Sequence, residues 1–260
     1  MDIKNPLGLP DLASVHGADV DKLILYVHYL MFVLFVGWSV YFVYSLWRFR
    51  ASRNAKASYA GVTSHVSNYV EVAIVAVEVV LLIGFAVPLW ARVADDFPAE
   101  DKSYVVRITG QQFAWMARYP GADRKFGKQD IELVTSENPL GLAQKNDKTK
   151  AADVDGKDDA MVPPQGQLAL PVNTNIIAHI TSMDVIHSFK VTPLRVTQDA
   201  IPGLSIPIHF FPTKTNVYQI TCAQLCGNGH SNMKGTIRVM EQAEFDAWLK
   251  SKAGVSTSYE

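Results

Sequence analysis

The chain has 260 residues, of which 48% are hydrophobic, and its 24 basic and 25 acidic side chains give a formal net charge of −1 at pH 7. This balance gives no sign of a nucleic-acid partner, which normally selects a basic surface. The apolar residues are concentrated in two blocks near the N-terminus, a distribution that argues against an ordinary soluble protein.

Two apolar blocks predict membrane-spanning helices. Leu23–Trp47 contains no formally charged residue and exceeds the roughly 20 residues needed to cross a bilayer. A cleaved signal peptide is the competing interpretation, but the block is too long and lacks a basic leading region and a compact small-residue cleavage site. Tyr69–Ala91 is also long enough, although it contains Glu71 and Glu78. Ionisable groups within a span are costly, so these glutamates need a functional explanation.

The charge of the connecting loop predicts the orientation of the hairpin. Residues 48–68 contain Arg48, Arg50, Arg53 and Lys56 and no acid. Positively charged loops stay in the cytoplasm, so we expect both termini on the outer side of a bacterial inner membrane. The predicted organisation is an outer N-terminal segment (1–22), a transmembrane hairpin (23–91) with a cytoplasmic loop (48–68), a periplasmic domain (92–241), and a C-terminal helix and tail (242–260).

The periplasmic domain shows the pattern of an all-β sandwich or barrel, with short β-branched and aromatic segments separated by turns. The predicted strands are YVVRIT, FAWMARY, NIIAHIT, VIHSFKV, SIPIHFF, NVYQITC and GTIRVM. The alternation in NIIAHIT places Ile176, Ala178 and Ile180 on one face and His179 on the other, as a surface histidine. Residues 143–160 are charged and predict a solvated loop. Phe245, Trp248 and Leu249 have helical spacing, which predicts a short helix over one sheet edge.

The segment TCAQLCGNGHSNMKG is the richest in potential metal ligands. It contains both cysteines of the chain, Cys222 and Cys226, followed by His230 and Met233. Glycines between these residues allow the backbone to fold tightly around a bound group. His187, on an earlier predicted strand, is the best candidate for one further ligand. Soft sulfur and imidazole together favour copper or zinc as the bound metal.

Several interpretations of this segment compete. A disulfide between Cys222 and Cys226 would suit an oxidising compartment but leaves His230 and Met233 without a role. Structural zinc uses cysteine and histidine but rarely methionine. A mononuclear blue-copper site needs only one cysteine. Two thiolates, two imidazoles and a thioether fit a pair of copper ions better.

The run CAQLCGNGHSNM resembles the binuclear CuA loop of subunit II of the heme-copper oxidases. The two-helix anchor and the motifs GQQFAWMARY, DVIHSF and TQDAIPG occur in the same order as in that family. The resemblance extends along the whole chain. It implies a cupredoxin-like Greek-key sandwich behind a membrane helical hairpin, acting as the electron-accepting subunit of an aerobic cytochrome c oxidase.

The resemblance also implies a role for each matching residue. Both cysteines would bridge the two copper ions, each histidine would be a terminal ligand, and a thioether and a backbone carbonyl would be weak axial ligands. The implied ligands are His187, Cys222, Gln224, Cys226, His230 and Met233. Electrons would enter through Phe113 and Trp115, and Glu71 would lie at the mouth of a proton channel into subunit I. Glu78 is interpreted as a neutral acid bonded to a neighbouring helix.

The implied partners are membrane lipid, subunit I with its hemes, other oxidase subunits, and a soluble or membrane-bound cytochrome c as electron donor. Oxygen would be reduced in subunit I, so the hemes and the catalytic residues belong to partner subunits. With only two cysteines, both in the loop, the chain cannot supply the C-x-x-C-H motif of a fused heme c domain.

Three positions depart from the common family pattern. Gln224 replaces a glutamate that helps to bind magnesium, Phe113 replaces a tryptophan, and Leu204 replaces an arginine. The CuA subunit of a nitric oxide reductase and a non-catalytic, membrane-tethered copper-binding protein remain as alternative functions. A quinol oxidase subunit shares the fold but lacks the copper ligands.

Overall fold

The computed structural model describes residues 6–56, 59–61, 64–143, 155–156 and 158–253. Contacts between residues divide the chain into two compact units. A helical unit contains residues 19–92, and a β-sandwich unit contains residues 8–18 together with the residues from 93 onward.

Two helices within the described ranges are long and apolar enough to cross a membrane, and they span 17–48 and 66–94. The first is α1 (Gly17–Arg48), and the second consists of α2 (Val66–Leu81), a π-helical turn (Leu82–Ala86) and α3 (Val87–Ala94). The π-helical turn lies directly before Pro88, which has no N–H to donate and whose ring clashes with the carbonyl four residues earlier. The proline therefore explains the interruption, and the predicted pair of apolar helices is confirmed.

The sandwich unit contains ten strands in the described part of the chain. They are β1 (Ser103–Gln111), β2 (Ala114–Tyr119), β3 (Ala160–Val162), β4 (Gln167–Pro171), β5 (Asn175–Ser182), β6 (His187–Val191), β7 (Val196–Ala200), β8 (Ile206–Phe210), β9 (Asn216–Cys222) and β10 (Lys234–Met240). One sheet has the order β3-β2-β1-β5-β8, and the other has the order β4-β10-β9-β6-β7. Each contains one parallel pair, β1 with β5 and β4 with β10, among antiparallel neighbours. The predicted all-β sandwich and its seven strands are confirmed, and β3, β4 and β7 are additional.

The core lies between the two sheets and follows from side-chain alternation along the strands. Val106 and Ile108 of β1 are buried, and so are Ile176, Ala178 and Ile180 of β5. The C-terminal helix α4 (Gln242–Lys252) buries one aromatic ring, that of Phe245, against the same core. This confirms the predicted amphipathic helix, whereas the predicted tail from residue 254 onward lies outside the described residues.

Residues 8–18, at the start of the chain, belong to the sandwich unit. Ala13 and Ser14 are buried, and the Ser14 hydroxyl donates a 2.6 Å hydrogen bond to the carbonyl of Leu194. Ser14 also forms a β-bridge with Pro212. The helix begins at Gly17, six residues before the predicted span at Leu23, because the prediction followed only the apolar block.

The charged segment 143–160 is only partly described, since residues 144–154 and 157 lie outside the described ranges. At its C-terminal end, Asp159 is buried rather than solvated. Its carboxylate accepts hydrogen bonds from Nε and Nη2 of the buried Arg118 and from the N–H of Gly127. The prediction of a solvated loop is wrong at this residue, because the partner arginine is 41 positions away in sequence.

We expect Asp159→Asn to destabilise the sandwich by about 3–5 kcal/mol, because it leaves the Arg118 guanidinium buried without its counter-charge. Asp155→Asn is the matched control, since Asp155 is exposed and pairs with Lys125 at 3.9 Å. An exposed pair contributes about 0–1 kcal/mol. Thermal and urea unfolding of the full chain, followed by near-UV circular dichroism, measures both changes. Equal effects of the two substitutions would contradict the structural role assigned to Asp159.

Candidate metal centre

The ligand-rich loop connects two paired strands, and this pairing determines its shape. β9 and β10 are antiparallel, with Thr221 opposite Lys234 and Ile220 opposite Gly235. Cys222 is the last residue of β9, and the rest of the loop returns through a short 3₁₀ turn, His230–Asn232. Gly227 has a φ of +130°, a backbone conformation that side chains with a Cβ rarely adopt. The hairpin therefore closes tightly above the end of the sheet.

His187 reaches this loop from the neighbouring strand. β6 pairs with β9 so that Phe189 lies opposite Cys222, and His187 is the first residue of β6. Its side chain is 0% exposed, and its Nδ1 lies 4.0 Å from the sulfur of Cys222. The predicted association of these two distant segments is therefore present in the structure.

The predicted donor atoms converge in pairs around the two cysteines. The two sulfurs are 3.8 Å apart. The sulfur of Cys222 is 3.1 Å from the carbonyl oxygen of Gln224. The sulfur of Cys226 is 3.5 Å from Nδ1 of His230 and 3.6 Å from the sulfur of Met233. All six residues singled out from the sequence thus lie in one cluster.

These separations suit ligands that share a metal. With metal–sulfur bonds of about 2.3 Å, two sulfurs on one tetrahedral ion lie roughly 3.8 Å apart. A disulfide would require about 2.05 Å, and both cysteines are free thiols. The donor set of two sulfurs, two imidazole nitrogens, a thioether and a carbonyl is soft, which favours copper over magnesium or calcium. The residues therefore fit the copper site that the sequence predicts.

Burial affects the protonation of this cluster. Cys226 is 5% exposed, and Met233 is also buried. Burial, together with the neighbouring Cys222 and Asp184, raises the pKa of the Cys226 thiol to about 11. A metal ion must displace this proton when it binds, since the thiolate is the ligand form.

Asp184 is a functional residue that the sequence reasoning missed. Its carboxylate accepts hydrogen bonds from Nε2 of His187 at 2.8 Å and from the N–H of Gln112 at 2.8 Å. Burial opposes ionisation of Asp184, but these bonds outweigh it, so its pKa lies below the ordinary value. A carboxylate that holds Nε2–H leaves Nδ1 unprotonated and facing the sulfurs. The motif DVIHSF contained this residue, but its spacing did not reveal the contact.

Gln112 connects the loop to the opposite sheet. Its side-chain amide donates a 2.6 Å hydrogen bond to the carbonyl of Cys226. Gln112 lies in the short connection between β1 and β2, and the motif GQQF was the only sequence signal for it. The loop is therefore bonded to both sheets of the sandwich.

Phe113 and Trp115, the two residues predicted for electron entry, differ in exposure. Phe113 is 37% exposed, and its ring covers the loop so closely that a Cβ at Gly229 would lie 2.4 Å from it. Trp115 is only 1% exposed and contacts the rings of His187 and Phe189 with edge-to-face geometry. Phe113 precedes β2, so strand alternation does not place it on the face of Trp115. Phe113 is therefore the more exposed of the two rings.

The remaining predicted positions lie outside the metal cluster. Glu71 and Glu78 are both exposed along α2. His179, predicted to be a surface residue, is half-buried, and burial and Arg107 lower its pKa. Leu204 is exposed in the connection between β7 and β8.

Together, these features define a cupredoxin-like metal-binding domain that follows a pair of apolar helices. The profile of the cytochrome c oxidase subunit II periplasmic domain matches residues 104–240. The chain belongs to the cytochrome c oxidase subunit II family, and the helices and this domain indicate a membrane protein.

The chain is similar to individual members of this family. The alternative cytochrome c oxidase subunit 2 of Bradyrhizobium diazoefficiens is 34% identical over 154 residues, which cover 58% of this chain and 53% of that protein. Cytochrome c oxidase subunit 2 of Cereibacter sphaeroides is 25% identical over 250 residues, which cover 96% and 79% of the two chains. The crystal structure of the periplasmic domain of cytochrome oxidase subunit II from Bradyrhizobium japonicum is 26% identical, with a TM-score of 0.42 over 60% of this chain and 95% of that one.

Proposed function

We propose that this chain is the electron-accepting subunit of an aerobic respiratory cytochrome c oxidase. It would take single electrons from a cytochrome c at a binuclear copper centre and pass them to a heme in subunit I. The observation that carries the proposal is the convergence of two thiols, two Nδ1 atoms, a thioether and a carbonyl in one loop and its neighbouring strand. Oxygen reduction and proton translocation would occur in the assembled complex.

The protein residues prepare this site for electron transfer. When bound, a copper pair sharing two thiolates would supply one-electron chemistry with little change in ligand geometry. His187, Cys222, Gln224, Cys226, His230 and Met233 would hold the pair. Asp184 orients the ring of His187, and the amide of Gln112 restrains the loop backbone. Both contacts limit ligand movement, which keeps the reorganisation accompanying electron transfer small.

The surface beside the loop supports docking of protein partners. Apolar side chains are exposed on the cysteine loop and on the segment before His187, namely Met183, Val185, Ile186 and Leu225. Exposed apolar residues in one region often mark a protein interface. We assign this region to contacts with cytochrome c or with other oxidase subunits.

The charges around the helices support an orientation in the membrane. Arg48, Arg50 and Arg53 lie at and just beyond the end of α1 and are exposed. Basic residues at this end support a cytoplasmic loop and a periplasmic copper domain in a bacterial inner membrane.

The copper content of the full chain tests the central proposal. After reconstitution we expect two copper ions per chain and an EPR spectrum whose hyperfine structure shows one electron shared by two equivalent nuclei. Cys222→Ser or Cys226→Ser should abolish this spectrum, because each removes a shared sulfur. Met233→Leu should alter it, whereas Met183→Leu, an exposed methionine, should leave it unchanged.

One copper per chain, or a four-line mononuclear spectrum, would contradict the binuclear site. Ready loss of copper to a chelator would favour the copper-binding protein without electron transfer. In the assembled complex, turnover with nitric oxide instead of oxygen would favour the nitric oxide reductase.

Phe113 is the residue through which we expect electrons to enter, since its exposed ring covers the loop. Phe113→Leu should keep the copper spectrum but lower kcat/KM for reduced cytochrome c at least several-fold, because it preserves bulk and removes the π-system. Phe113→Trp should restore most of the rate. Stopped-flow reduction of the copper centre measures both variants, and an unchanged rate in Phe113→Leu would assign entry to another residue.

Glu71 is proposed to lie at the cytoplasmic mouth of a proton channel, because it is exposed near the start of α2. Glu71→Gln should slow proton uptake and steady-state turnover of the assembled oxidase without slowing copper reduction. Glu78→Gln is the matched control on the same helix and should have a smaller effect. Equal effects of the two substitutions would contradict a special role for Glu71.

A further inference from the structure

Two arginines on the outer face of the β1–β2 strand pair lie directly opposite each other. Arg107 of β1 and Arg118 of β2 are register partners. Like charges at directly opposed positions destabilise a sheet unless something compensates them. The ring of Phe126 contacts both guanidinium groups. Its centroid lies 4.2 Å from Cζ of Arg107 and 5.3 Å from Cζ of Arg118. An aromatic face relieves part of the repulsion but supplies no negative charge.

Of these two arginines, only Arg118 donates hydrogen bonds to Asp159. The Asp159 carboxylate accepts hydrogen bonds from Nε and Nη2 of Arg118, while Nη1 is buried and has no hydrogen-bond partner in the described part of the chain. Arg107 forms no ion pair with any residue in the described ranges. Burial lowers the pKa of Arg107, and the charge of Arg118 lowers it further. The pair therefore retains an unsatisfied buried donor and an excess positive charge.

Arg107 and Arg118 line a cleft of about 430 Å³. Hydrogen-bonding side chains from neighbouring elements complete its wall, including Thr109, Gln129, His179 and Thr181. No residue that lines the cleft, within the described ranges, carries a carboxylate. This volume falls within the range of small-molecule binding sites and exceeds that of a single oxyanion.

We infer that this cleft binds a phosphate group, held by Arg107 and by the hydroxyl groups of the cleft wall. Guanidinium forks match phosphate oxygens in geometry, and threonine hydroxyls can donate to the remaining oxygens. The phosphate would offset the excess positive charge of the opposed arginines. Its source is either inorganic phosphate or the monoester of a larger anion, for which the cleft has room.

Isothermal titration of the full chain in detergent, at low and constant ionic strength, tests this inference. The probes are inorganic phosphate, phenyl phosphate and citrate, with sodium chloride as the ionic-strength control. We expect saturable binding of phosphate with one site per chain. Tighter binding of phenyl phosphate would identify a monoester as the ligand, and equal or weaker binding would identify the free ion.

Arg107→Gln should weaken phosphate binding by about tenfold or more, because it removes a charge-assisted contact. Arg124→Gln, an exposed arginine outside the cleft, makes the same change in net charge and should leave the affinity unchanged. Thr181→Val, which keeps the side-chain volume, should weaken phosphate binding several-fold. This variant replaces Arg107→Gln as the test if Arg107→Gln does not fold. The inference is overturned by heats no larger than those of chloride, by citrate binding as tightly as phosphate, or by full affinity in a folded Arg107→Gln protein.

Discussion

The register between β6 and β9 is the constraint on which the metal centre depends. It places His187 beside Cys222, although 35 positions separate the two residues in sequence. The β9–β10 register then fixes where the loop leaves and re-enters the sheet. A shift of one residue in either pairing would turn the alternating side chains to the opposite face. The donor atoms are therefore positioned by backbone hydrogen bonds of the sheet before any metal is considered.

The ligands lie at the sheet that contains β6, β9 and β10, and residues of the opposite sheet restrain them. Gln112 and Phe113 lie between β1 and β2, which belong to the sheet opposite the ligands. The amide of Gln112 bonds the carbonyl of Cys226, and the ring of Phe113 lies against Gly229. Asp184, just after β5 of that same sheet, holds the ring of His187. Because both sheets hold the site, its geometry depends on the packing of the whole sandwich rather than on the loop alone.

Local patterns predicted much of this structure, and long-range contacts account for most of what they missed. The apolar helices and seven strands follow from periodicity and length, five of the clustered donors follow from the residue types and their spacing, and the carbonyl of Gln224 follows from the resemblance to the CuA loop. β3 has only three residues, and β7 has the largely polar sequence VTQDA, so neither has a strong strand pattern. Trp115 is buried because it lies on the core face of β2, whereas Phe113 lies in the turn before this strand and does not follow its alternation. The Arg118–Asp159 pair joins residues 41 positions apart, and the hydrogen bond between Asp184 and His187, although local, has no recognisable spacing signal.

Strand alternation also explains how β2 contributes both to the apolar core beside the metal site and to the charged outer face of its sheet. Trp115 and Ala117 face the core, where Trp115 packs against the metal-site histidine. Arg118 follows directly and faces the opposite side, where Asp159 and Phe126 contact it. The apolar core packs around Trp115, while the charged side chain of Arg118 lies on the outer face. A substitution that changes the charge of the outer face can therefore leave the arrangement of the donor atoms intact, because the core residues between the outer face and the metal site carry no charge.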